Sequence, residues 1–159
     1  MGTYQTSYPD RPAKGLHGAS ANEELKNDIS RTIENAAGVR FGEPVQRGAG
    51  DHGVVPFAAG GKFVGIAKLN PAVPARAAGS NLVDGYPQNS TGAIRERGQM
   101  YVQVSTAVAD GDQVYFVSSS NTYTNAAGTG IVGPLPNVLF DTTGAAGDIV
   151  EISIKNRSA

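Results

Sequence analysis

Two histidines are the first groups to weigh for chemistry, because the chain holds no cysteine. His17 and His52 lie well apart, and neither has the His-x-His or His-x3-His spacing that brings two imidazoles onto one metal. A three-ligand zinc site would need both of them and a carboxylate from elsewhere. The missing thiols exclude disulfides and thiolate metal sites outright. Asp110-Gly111-Asp112 is the most metal-like carboxylate pair, but the later Glu that completes a calcium-binding loop is absent. Asp-Gly between apolar runs is instead a turn between two strands, with an Asp side chain bonding turn amides and Gly111 at positive φ. Gly48-Ala49-Gly50 and Gly128-Thr129-Gly130 lack the spacing and the strand–turn–helix setting of a phosphate-binding loop. No Gly-x-Ser-x-Gly elbow presents a serine nucleophile. Arg95-Glu96-Arg97 is a small charge cluster. Its Glu can satisfy both arginines locally, or an Arg can bridge to a carboxylate on another subunit. The chain therefore reads as non-enzymatic, with no cofactor, no metal and no small-molecule substrate.

What must position these groups is a light, turn-rich chain. Its 159 residues suit one domain, or one domain with an arm. It carries 21 Gly, 9 Pro and no Trp, which place much of its length in turns and loops. Charged residues make up only 17%, so its surface is comparatively easy to desolvate against a partner. The net charge is −1 and no Lys/Arg cluster is present, which argues against nucleic acid as the partner. Met1 to Gln5 has neither the basic nor the apolar region of a signal peptide. No apolar run approaches the ~20 residues of a membrane-spanning helix.

Residues 1–20 read as an arm, interrupted by Pro9, Pro12, Gly15 and Gly18, with Tyr4 and Tyr8 as its aromatic anchors. Residues 20–37 hold the one helix candidate. Ser20 and Glu23 have capping-box spacing, Gly38 suits a C′ position, and Leu25, Ile29 and Ile33 recur every four residues. The same stretch alternates as a strand at Ile29, Arg31 and Ile33, and Ser30 and Thr32 are poor interior helix formers. From Val39 onward the pattern is β. Runs at 40–47 (with Pro44 marking an edge or bulge), 54–57, 62–67, 99–105, 113–117, 138–140 and 149–154 are separated by Gly and Pro turns. Short strands so punctuated point to a sandwich or barrel, and no βαβ rhythm is present. Residues 70–96 read as a long loop projecting from the β body, with Tyr86 as its sole aromatic. Residues 118–130 read as a smaller hairpin excursion.

Three segments carry a family pattern when taken in order. The first runs from Gly2-Thr3-Tyr4-Gln5 and Pro9 to Gly18 through Asp28-Ile29-Ser30-Arg31-Thr32-Ile33-Glu34-Asn35 to Gly38–Val45. The second is Ala58 to Ala67, and the third is Met100 to Val104 continuing from Ala107 to Phe116. Together they resemble the structural cement and capsid decoration proteins of tailed bacteriophages. The resemblance implies an all-β chain: a small β-barrel or β-tulip-like sandwich (39–159) with an extended N-terminal arm (1–38) and a long loop at about 70–96. It implies binding to the outside of an icosahedral head, with the major capsid protein as partner, as a homotrimer near local threefold positions. The location implied is the virion exterior, assembled in the host cytoplasm, with no catalytic residue, no nucleic acid and no membrane partner. In that setting residues 28–35 are extended rather than helical. The candidate contact residues are Tyr4, Tyr8, Ile29, Ile33, Tyr86, Arg95 and Arg97. The alternative is another virion β module, a tail or fibre domain that binds a glycan or protein receptor.

Overall fold

The computed structural model of the chain describes residues 14–74 and 84–154. Within them twelve strands and no helix succeed one another. The first are β1 (Asn27–Ile33), β2 (Val39–Arg40), β3 (Pro44–Arg47), β4 (Gly53–Pro56) and β5 (Phe63–Ala67). Then come β6 (Gly85–Tyr86), β7 (Thr91–Gln103), β8 (Tyr115–Val117), β9 (Thr122–Thr124), β10 (Ile131–Val132), β11 (Val138–Phe140) and β12 (Ile149–Ile154).

Five of these strands close on themselves. The order β1-β4-β3-β5-β7 returns to its start because β7 also pairs with β1, giving a closed five-stranded barrel. The β1–β4 pair is parallel and the other pairs are antiparallel. Closure satisfies the backbone groups that an open sheet would leave along its two edges. β7 is long enough, at 13 residues, to serve two sheets. Its first half pairs with β1 and β5, and from Gly98 to Gln103 it pairs with β12, beyond which lies β11. The hairpin β8–β9 and the short β10 form a second layer, and β2 pairs with β6.

Two apolar clusters result. The barrel lumen is filled by Ile33, Val39, Val45, Val54, Val64, Ala67, Tyr86 and Ile94. The second cluster sets Met100, Val102, Val150, Ile152, Ile154 and Phe140 against Phe116 and Tyr123. Each Val, Ile, Met or Phe among them contributes about 1.5–3 kcal/mol on full burial. Alternation along the strands therefore decides which residues point inward.

The all-β, barrel expectation is met, and three local expectations are corrected. Of the two readings of residues 20–37 the extended one holds and the helix does not: Asn27–Ile33 is a barrel strand, so this part of the expected arm pairs into the body's sheet. The four-residue recurrence of Ile29 and Ile33 is equally a strand signal, since four is a multiple of two, and Ile29 and Ile33 are indeed covered while Ser30 and Thr32 are exposed. The loop expected over 70–96 ends early, at Gly85–Tyr86 and again where β7 begins at Thr91. Asp110-Gly111-Asp112 is a turn with Gly111 at φ 89, and Asp112 accepts from the Ala109 amide at 3.0 Å. Its flanks, however, do not pair with each other: Gly111 and Asp112 bond to Phe140, and Val108 bridges to Gly144.

Candidate partner-binding face

The segment before β1 lies flat along the free edge of the second half of β7. Gly18 N–H donates to Tyr101 O at 2.8 Å, Tyr101 N–H to Ala19 O at 2.9 Å, and Ala21 N–H to Gln99 O at 3.3 Å. Leu69 N–H donates to Gly18 O at 2.8 Å, tying the strap to the end of β5 as well. Glycines make the close approach possible. A Cβ on Gly15 would run into the Tyr101 ring, and one on Gly18 would sit 2.8 Å from the Gly42 nitrogen. His17 anchors the strap by accepting a 3.0 Å hydrogen bond from the Gln103 amide on Nδ1. Its Nε2 is shut off from solvent beside Asn121, and burial lowers its pKa from 6.5 to about 4.

Where the strap turns toward β1, it meets a buried cation. Arg95 is 0% exposed. Its guanidinium donates to both carboxylate oxygens of Asp28, at 2.7 and 3.0 Å, and also to Ser20 Oγ and Gln99 O, each at 2.8 Å. Lys68 Nζ adds a 3.0 Å bond to Asp28 Oδ2. Partial burial pushes the Asp28 carboxyl up, but the Arg95 and Lys68 hydrogen bonds more than offset this and hold it below the usual aspartate value. Such a network joins the strap, β1, β7 and the residue that follows β5. Among the described residues no group of three His, Asp or Glu side chains is placed to hold a metal.

The candidate contact residues divide sharply. Tyr4 and Tyr8 lie outside the described residues. Ile33 and Arg95 are 0% exposed and Tyr86 is 2% exposed, so the fold itself uses all three and they offer a partner no surface. Tyr86 packs edge-on against Phe41 and donates to Lys68 O at 2.8 Å. The reason is register: Ile33 and Tyr86 point into the lumen, and Arg95 faces the seam that the strap covers. Ile29 is partly buried at the rim of the barrel, and Arg97 is exposed, opposite Asn27 in the β1–β7 pair. The strap itself presents Leu16 and Leu25, which are 68% and 69% exposed. Leu25 was visible in the sequence only as a member of a helical stripe. Leu16 was a lone apolar residue among glycines, and its signal was its isolation.

A family model described as "Structural cement protein (E217 gp24/Pam3 gp6)" matches residues 4–155. No curated protein matches the sequence. Among solved structures, the chain is similar to one in "The capsid of Myoviridae Phage XM1", with a TM-score of 0.67 and 16% sequence identity. That similarity covers 96% of this chain and 98% of the other, and at such identity it speaks to the fold.

Proposed function

This chain belongs to the structural cement proteins of phages, and on that premise we propose that it decorates the outer surface of the capsid and clamps neighbouring coat subunits. The observation that carries the reading is the family match across residues 4–155, which takes in strap, barrel and second layer alike. The strap's exposed Leu16 and Leu25 offer apolar area that a partner would bury. The major capsid protein is that partner, and the protein acts as a homotrimer at the virion exterior, without catalysis. A protein that binds only the assembled shell stabilises that shell by mass action. Several contacts engaged at once on a lattice raise the effective concentration of each further one.

The test is cosedimentation of the purified protein with expanded heads of its parent phage that lack it. Saturable binding at a symmetry-related copy number, with a raised temperature of head disruption, is the expected result. Failure to bind expanded heads would overturn the reading and favour a receptor-binding tail or fibre module.

A further inference from the structure

One mouth of the barrel is built differently from the lumen behind it. It lies at the starts of β1, β4 and β5, where β3 ends and the barrel half of β7 ends. Strand register aims cations into it. Arg47 pairs with Val54, a lumen residue at 0% exposure, and directly opposed side chains share a face. Arg31 lies two residues before Ile33, another lumen residue at 0% exposure, and so faces the same way. Glu96 occupies the bulge where the β1–β7 register shifts. Arg31, Arg47 and Glu96, with Ile29, Phe63 and Val64, line a cavity of about 170 Å³.

The electrostatics of this mouth are unbalanced. Arg31 Nη1 donates to Ser30 O at 3.0 Å and approaches His52 Nδ1 at 3.4 Å, and neither is a carboxylate. No ion pair joins Arg31 or Arg47 to a carboxylate among the described residues, in contrast to Arg40 and Arg95, which are each paired. Glu96 has partners of its own, Asn27 Nδ2 at 3.5 Å among them. Two guanidinium groups thus converge at the rim of an apolar lumen with one carboxylate between them. Guanidinium forks match carboxylate geometry, and such pairs are strongest where water is excluded. The space equals that of about five or six waters, at about 30 Å³ each, which admits the head of a side chain and not a folded element.

We propose that this mouth receives a single carboxylate side chain, Asp or Glu, from the surface of the coat protein. The inference rests on the decoration reading and names its contact. A charge plug of this kind fixes register on the coat lattice and makes attachment sensitive to salt.

The experiment is head binding of the wild type, of Arg47→Glu and of the Arg31→Gln/Arg47→Gln double variant, each across a range of salt concentrations. Thermal melts establish that the variants fold, and Arg47→Glu serves as the safer case because Arg47 is exposed. Wild-type binding to heads is the control on the decoration reading, and its absence would sink that reading first. If wild type binds, Arg47→Glu should bind roughly tenfold or more weakly, and the double variant should show a shallower salt dependence. Folded variants that bind heads as tightly as wild type, with the same salt dependence, overturn the plug. So does a change confined to the free protein's own association state in sedimentation, which would assign the mouth to a second copy of this chain.

Discussion

At His17 the protonation state and the position of a whole segment are coupled. Nδ1 accepts from the Gln103 amide, so the ring is neutral with its proton on Nε2. A second proton would turn the acceptor into a donor facing a donor. Burial is the main reason that the pKa falls from 6.5 to about 4, with nearby Arg40 adding to it and the Asn121 contact opposing it. The unfolded chain therefore binds more protons than the folded one between those values. Stability is full above pH 6.5, falls as the pH drops, and levels off below about pH 4. The loss over that window comes to about 3 kcal/mol at most. Urea melts at pH 7 and 4.5 should show this loss in the wild type and much less of it in His17→Gln. Equal losses in the two proteins would mean that other groups set the acid sensitivity. Arg95 offers a second residue-scale test. Arg95→Ala leaves Asp28 with Lys68 alone and takes one hydrogen-bond partner each from Ser20 Oγ and Gln99 O. It should destabilise by about 1.5–3 kcal/mol, since the charge-assisted hydrogen bonds of Arg95 are lost while Asp28 stays partly solvated and keeps Lys68. Arg95→Lys keeps the charge but not the fork, and should recover only part of this. Chemical denaturation of both variants decides it.

Among the elements, the short apolar runs between Gly and Pro turns were legible: strands form near 54–57, 62–67, 99–105, 113–117, 138–140 and 149–154, while the run at 40–47 divides into β2 and β3 around a turn at Gly42. The first half of β7 was not. Gly92, Arg95, Glu96 and Arg97 read as loop composition, because a strand that puts a charge into a seam looks polar on both faces until its partners are known. Asp28 lies 67 residues from Arg95, and no local pattern reports a contact at that range. The strap was hidden for a related reason. Its glycines look like disorder in the sequence, yet they allow it to press on Tyr101 and Gly42. Two glycines test that role. Gly42 has φ 77 and a Cβ there would collide with the His17 ring, whereas Gly111 has φ 89 and a Cβ there would meet nothing within 4 Å. Alanine at either position incurs the left-handed backbone penalty of about 1–2 kcal/mol. Only Gly42→Ala should also lift the strap, seen as faster amide hydrogen exchange at Gln103 and Tyr101. Matched exchange in the two variants would mean that the strap does not depend on that contact.

For the whole molecule, the question is whether binding and folding can be separated. The barrel closes through β1, β3, β4, β5 and β7 without any residue before Asn27. The strap adds hydrogen bonds along the edge of β7 and supplies Ser20 to Arg95, but it is not a member of the ring. A chain starting at Lys14 keeps every contact described above. It should melt at the wild-type temperature, and if the first 13 residues, with Tyr4 and Tyr8, contact the coat, it should bind heads more weakly. A chain starting at Ser20 also loses the His17–Gln103 bond and the bonds of Gly18 and Ala19 to Tyr101 and Leu69. Individual bonds of this kind contribute about 0.5–1.5 kcal/mol net. That chain should therefore melt several degrees lower while unfolding in one cooperative step, and it should lose the contact made by Leu16. Head binding set beside melting for the two truncations separates the roles. Weakened binding in the first with unchanged melting places attachment in the residues before the strap. Full binding in the first and loss only in the second places it on the strap. Full binding in both would remove the N-terminal region from the attachment surface and leave the barrel mouth to carry it.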